Sequence, residues 1–130
     1  MEKWLINISN HPSEKWEKEQ KQGWDRIIDV PFPKIDPTWD VNTPDFLKEL
    51  IDVEEQVINV LLEANSKAEV FVMLQGEFSF CYMLFDRLRS RDRLSFAIPT
   101  TDRAVKEARQ PDGTVVKQAQ FKFVRWRAIE

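Results

Sequence analysis

The chain has one cysteine, one histidine, one tyrosine and only three glycines in 130 residues. The lone Cys81 excludes a disulfide framework within the chain and fits a reducing cytoplasm. Set inside an apolar segment, it reads as a small hydrophobe. A single histidine and a single cysteine leave no His/Cys cluster for a zinc site. A phosphate-loop lysine motif, a GxGxxG turn and a GxSxG elbow are all missing. That disfavours NTPases, dinucleotide dehydrogenases and α/β-hydrolase chemistry. No apolar run approaches the ~20 residues of a membrane span. Met1 to Leu5 passes at once into polar residues, unlike a secretory leader. Acidic residues are plentiful but fall on helix faces rather than in a metal-ligand pattern.

The net charge of −3 argues against wholesale binding to duplex nucleic acid. Its distribution is uneven. Residues 1–65 carry 7 basic and 14 acidic side chains, whereas residues 66–130 carry 12 and 8. The basic half includes Arg87, Arg89, Arg91 and Arg93, then Arg103, Arg125 and Arg127. A small anionic ligand suits this field. For Arg87 to Arg93 the alternative is a solvated helix end whose cations favour the macrodipole.

Apolar residues make up 42% of the chain, enough for one core at this length, so disorder is not indicated and a single domain over 1–130 is expected. Lys3 to Ser9 predicts a first strand. Ser13 is a suitable cap for a charged helix over 14–22, with Gly23 at its end. Arg26 to Val30 predicts a second strand, stopped by Pro31 and Pro33. After a proline-spaced loop, Thr43-Pro44-Asp45 opens a helix that runs to about Asn65. Its apolar residues, Phe46 to Leu62, recur at helical spacing.

Glu69 to Leu74 is apolar on both faces, as central parallel strands are. Gly76 and Glu77 then turn the chain into an apolar helix over 78–88, expected to be well buried. Arg93 to Ile98 predicts a fourth strand ending at Pro99-Thr100-Thr101. Pro111-Asp112-Gly113 marks a hairpin between Ala104 to Arg109 and Thr114 to Arg127. In its last strand, alternation puts Phe121, Phe123, Arg125 and Arg127 on one face and Lys122, Val124 and Trp126 on the other. The alternation of strands and helices predicts an α/β fold with a mainly parallel sheet and a C-terminal β-hairpin, a Rossmann-like three-layer sandwich.

In such a sheet the loops after the strands converge on the carboxyl edge, where ligands bind. They supply Ser9, Asn10 and His11, then Gln75, Gly76 and Glu77, then Thr100, Thr101 and Arg103. His11 suits general acid or base work, or it hydrogen-bonds within the loop before Pro12. Gly76 permits close backbone approach of a phosphate to free helix N–H groups. Glu77 either caps that helix or accepts hydrogen bonds from ribose hydroxyls or a base amine. Thr100 and Thr101 could donate to a phosphate that Arg103 pairs bidentately; a plain turn is the alternative. Of the five tryptophans, Trp39 in the proline loop is the one placed to stack on a nucleobase.

INISNHPS at Ile6 to Ser13, VMLQGEFSF at Val72 to Phe80, PTTDR at Pro99 to Arg103 and FKFVRWR at Phe121 to Arg127 together resemble small CRISPR-accessory proteins related to the CARF domains. The resemblance implies a cytoplasmic homodimer that binds a cyclic oligoadenylate second messenger of type III CRISPR antiviral signalling. Ring-nuclease members cleave that ligand without a metal or other cofactor. A ribose 2′-hydroxyl attacks the adjacent phosphodiester, leaving a 2′,3′-cyclic phosphate, while the protein positions the hydroxyl and stabilises charge. His11 and Ser9 would then assist proton transfer or orient the ring, and Asn10, Gln75, Gly76, Glu77, Thr100, Thr101 and Arg103 would hold the ligand. Two other readings stand beside the enzyme: a non-cleaving sensor or sponge for the same ligand, and a protein-interaction domain whose hairpin edge pairs with another chain.

Overall fold

The structure is a computed structural model that describes residues 1–40 and 46–129, with the side chain of Phe46 outside the description. The strands are β1 (Lys3–Ser9), β2 (Arg26–Pro31), β3 (Glu69–Gln75), β4 (Leu94–Arg109) and β5 (Val115–Ile129). The helices are α1 (Lys18–Lys21), α2 (Phe46–Ala64) and α3 (Phe78–Leu88), and a 3₁₀ turn covers Ser13–Lys15. All five strands lie in one sheet in the order β2-β1-β3-β4-β5. β1 runs parallel to β2 and β3, β3 runs parallel to β4, and β5 returns antiparallel along β4. The fold is therefore α/β with a mostly parallel sheet and a C-terminal hairpin. The expected cap at Thr43-Pro44-Asp45 lies outside the described residues.

Two apolar layers flank the sheet, and they differ in thickness. On one face, Ile6, Ile8, Val70, Val72 and Phe96 pack against Leu47, Ile51 and Ile58 of α2 and Phe80, Leu84 and Leu88 of α3. This is the main core, since each of those side chains is nearly or wholly removed from water. On the other face, Leu5, Met73 and Ala97 meet Trp16, Trp24 and Trp126. Aromatic side chains there do the covering that a long helix does opposite.

Four sequence expectations need correction. The charged segment 14–22 is not one helix. Trp16 and Glu17 are both extended, splitting it into the 3₁₀ turn and α1. Trp16 explains the break: its indole N–H donates to the His11 carbonyl and its ring packs on Trp126. So short a helix has little stability of its own to resist this. Next, β4 does not stop at Pro99. It separates from β3 after Phe96, so Pro99 sits where one side of the strand has no ladder partner to lose.

α3 is also less buried than its composition implies. Phe78 is 78% exposed and Tyr82 60%, because among the described residues no element covers the neighbouring part of β4 and β5, Ile98 and Ile129, on that face. Finally, the register slips by one residue between Thr100/Arg125 and Thr101/Phe123, leaving Val124 without a partner. This bulge reverses the alternation of β5. Trp126 and Phe123 therefore touch, their rings 5.6 Å apart, instead of facing opposite ways.

The arginine cluster has a structural explanation. Arg87 pairs with Asp52, and Arg91 bonds Asn59 and Glu55, all on α2. Arg93 adopts φ 64° and donates to the carbonyls of Leu62, Asn65 and Ala68, closing the C-terminal end of α2. These three cations tie α2 to α3 and to the turn before β4, whereas Arg89 lies exposed beside Asp86 of α3.

Candidate functional site

The direction of chain travel reverses between β1 and β3: β2 lies to one side of β1, and β3 and β4 lie to the other. At such a point the loops leaving two adjacent parallel strands diverge and open a crevice at the carboxyl edge. A cleft of about 470 Å³ lies here, within the range of small-molecule sites. Its rim takes Asn10, His11 and Pro12 from the end of β1, Gln75 from the end of β3, and Pro99 and Thr101 from β4. Lys15, Trp16, Glu17 and Gln20 form a second wall, and Phe121 and Phe123 of β5 form the third.

The His11 loop hangs on a polar brace. Asn7 is 1% exposed inside an otherwise apolar strand. Its amide donates to the His11 carbonyl at 2.9 Å and to Asp29 Oδ1 of β2 at 3.0 Å. The other Asp29 oxygen accepts from the backbone N–H and hydroxyl of Ser13. Ser9 donates its hydroxyl to Asn7 Oδ1 at 2.6 Å and accepts from the His11 backbone N–H at 3.1 Å. Every side-chain polar atom of this knot has a partner, as burial requires. The outcome is an exposed His11 whose ring has no hydrogen-bond partner among the described residues and stands on the cleft rim.

The predicted site residues divide into three groups. Asn10, His11, Gln75 and Thr101 come together in the cleft. Ser9 lies beneath it, 7% exposed and committed to Asn7 and the His11 backbone, so it shapes the loop instead of meeting a ligand in this geometry. The remainder lie elsewhere. A Cβ on Gly76 would fall 2.5 Å from the ring of Phe32, so this glycine makes room for an aromatic ring rather than for a phosphate. Glu77 caps α3: its carboxylate accepts from the Phe80 N–H at 2.8 Å. That bond, with smaller help from Ser79, holds its carboxyl below the ordinary value.

Thr100 donates to the Arg125 carbonyl, inside a strand rather than in a turn. Arg103 lies further out, its guanidinium 5.9 Å from the Phe121 ring centre. Trp39 is partly buried in its loop and is not in the described lining of the cleft.

Sequence reasoning missed Lys15, Glu17, Gln20, Phe121 and Phe123. The two phenylalanines stand on the side of Trp126 only because of the bulge. Their position is secured at the root of the hairpin, where Glu17 accepts from the Phe123 N–H and Trp126 donates its indole N–H to the Gln20 carbonyl. The brace residues Asn7 and Asp29 were missed as well, although one polar residue in the run Trp4 to Ile8 was a readable signal.

Fold and cleft define an α/β domain with a polar, aromatic-walled crevice at the strand-order reversal. Among the described residues no three His, Cys, Asp or Glu side chains are grouped to hold a metal ion, and no helix is long and apolar enough to cross a membrane. The chain belongs to the family described as the Uncharacterized protein MJ1673 family, whose model matches residues 3–127. No curated protein and no solved structure matches it.

Proposed function

We propose that the chain is a Rossmann-like, CARF-related domain that binds a cyclic oligoadenylate and cleaves it without a metal, as a ring nuclease of type III CRISPR signalling in the cytoplasm. The segment 13–21, together with Trp24 and Trp126, is then the reduced third layer of the sandwich. The observation that carries the reading is the cleft itself, where an open imidazole, three side-chain amides and two phenylalanine rings converge at the carboxyl edge. Each has a counterpart in a nucleotide. Phe121 and Phe123 offer faces for an adenine, Asn10 and Gln75 can read its edge, and Lys15 and Thr101 can meet a phosphate.

The chemistry needs no outside reactant. His11 takes the proton of a ribose 2′-hydroxyl, and the oxygen closes on the adjacent phosphorus. The bond from phosphorus to the 5′-oxygen breaks, and the departing oxygen takes a proton from the imidazolium or water. The products are a 2′,3′-cyclic phosphate and a 5′-hydroxyl. One cleft accommodates part of a ring, so a second copy related by a twofold axis would complete the site.

The test is incubation of the purified chain with cyclic tri-, tetra- and hexa-adenylate in EDTA, followed by mass analysis. Linear products are expected, and His11→Ala should abolish them while retaining ligand-dependent thermal stabilisation. Stabilisation without products in the parent would favour the sensor or sponge. Neither stabilisation nor products would end the nucleotide reading.

A further inference from the structure

We infer that the hairpin face continuous with the cleft is a track for a linear single-stranded nucleic acid, with its first base in the cleft. For that first base the inference rests on the nucleotide reading above; the rest stands on the arm. Beyond the bulge, Thr101, Arg103, Val105, Glu107 and Arg109 lie opposite Phe123, Phe121, Ala119, Lys117 and Val115 in register, all on the cleft side. Phe121 is 66% exposed, and its described ring contact is with Arg103. An uncovered aromatic ring beside a guanidinium is the pairing that holds an unpaired base next to its phosphate.

Charge favours the same occupant. Residues 101–124 carry 5 basic and 3 acidic side chains in a chain whose net charge is −3. On the cleft side, Glu107 faces Lys117 directly and offsets it. Arg103 and Arg109 are left at the two ends of the face, and neither joins an ion pair among the described residues. Six residues of extended strand separate them, about 20 Å. Two cations at that distance with an exposed ring at one end suit a thin, extended polyanion. They are too few for a duplex, whose binding is carried by many phosphate contacts.

Fluorescence anisotropy with labelled linear oligoadenylates, a tetramer and a strand of about 12 nucleotides, tests this at low salt. The longer strand should bind roughly ten-fold tighter, the worth of about one stacked base. Phe121→Ala and the double variant Arg103→Glu/Arg109→Glu should each remove most of that advantage, and Arg109→Glu alone, at the arm's tip, should reduce it. Circular dichroism confirms that each variant is folded. Equal affinity for the two lengths overturns the inference. So does an advantage that survives in the double variant, equal binding of a duplex of the longer length, or no binding of the longer strand. Cyclic tetra-adenylate melting on the same protein separates the two ideas: a ligand shift without a length advantage leaves the cleft reading intact and ends the track.

Discussion

β4 begins in the middle of the molecule and ends in solvent, and its two halves obey different rules. Leu94, Phe96 and Ala97 are nearly sealed, and at Phe96 the strand has β3 on one side and β5 on the other. From Thr101 to Glu107 every residue is exposed, and among the described residues β5 is the sole neighbouring strand. In the first half, side chains are chosen by the volume available among α2, α3 and the sheet. In the second, a two-stranded ribbon has little stability apart from its root, where Trp126 is anchored to Gln20. The body is therefore constrained by packing, whereas the arm is free to follow what it contacts.

That contrast sets the scale of what substitutions should do. Leu84, fully buried between α3 and the sheet, should cost ~2–5 kcal/mol as Leu84→Ala, whereas Val105→Ala on the arm should stay within about 0.5 kcal/mol. Urea unfolding of both variants measures the pair, and similar losses would show that the arm is packed against something in solution. Gly76→Ala comes next. The new methyl meets the Phe32 ring, and we expect ~1–3 kcal/mol of destabilisation, relieved in part by Phe32→Ala on the same background. An unchanged stability would return Gly76 to the positions kept open for a ligand.

The smallest effect concerns Glu54, a largely buried carboxyl on α2 with one oxygen unpartnered among the described residues. Burial raises its pKa above the ordinary 4.5. The folded state thus holds the proton more tightly than the unfolded chain. Its penalty is absent below about that pH and grows as pH rises, reaching completion above the raised value. Glu54→Gln should flatten the fall in melting temperature across this window. Parallel profiles for parent and variant would show that Glu54 is solvated.

Local pattern made much of the body legible. β1 and α3 have the bounds that their apolar runs imply, because the ends of both carry clear breakers. The site was legible in part. Asn10, His11 and Gln75 lie where polar residues follow strands, and the parallel topology brings such loops together. Three things were not legible. Trp16 interrupts a helix through a contact with residue 126, which no local window contains. The space above Gly76 belongs to Phe32 from a different loop. The hairpin aromatics change sides through a register slip that leaves no mark on the apolar pattern.

The extra residue at Val124 gives that slip an evolutionary reach. Removing a single codon there would restore plain alternation with Thr101 still opposite Phe123 and Arg103 still opposite Phe121, so both rings would keep their place at the crevice and only the local bend and twist of the arm would change. The globular part would be left as it was. Relatives that differ by one residue at this position would therefore share both the scaffold and the aromatic wall, and would differ in the direction in which the arm leaves the body.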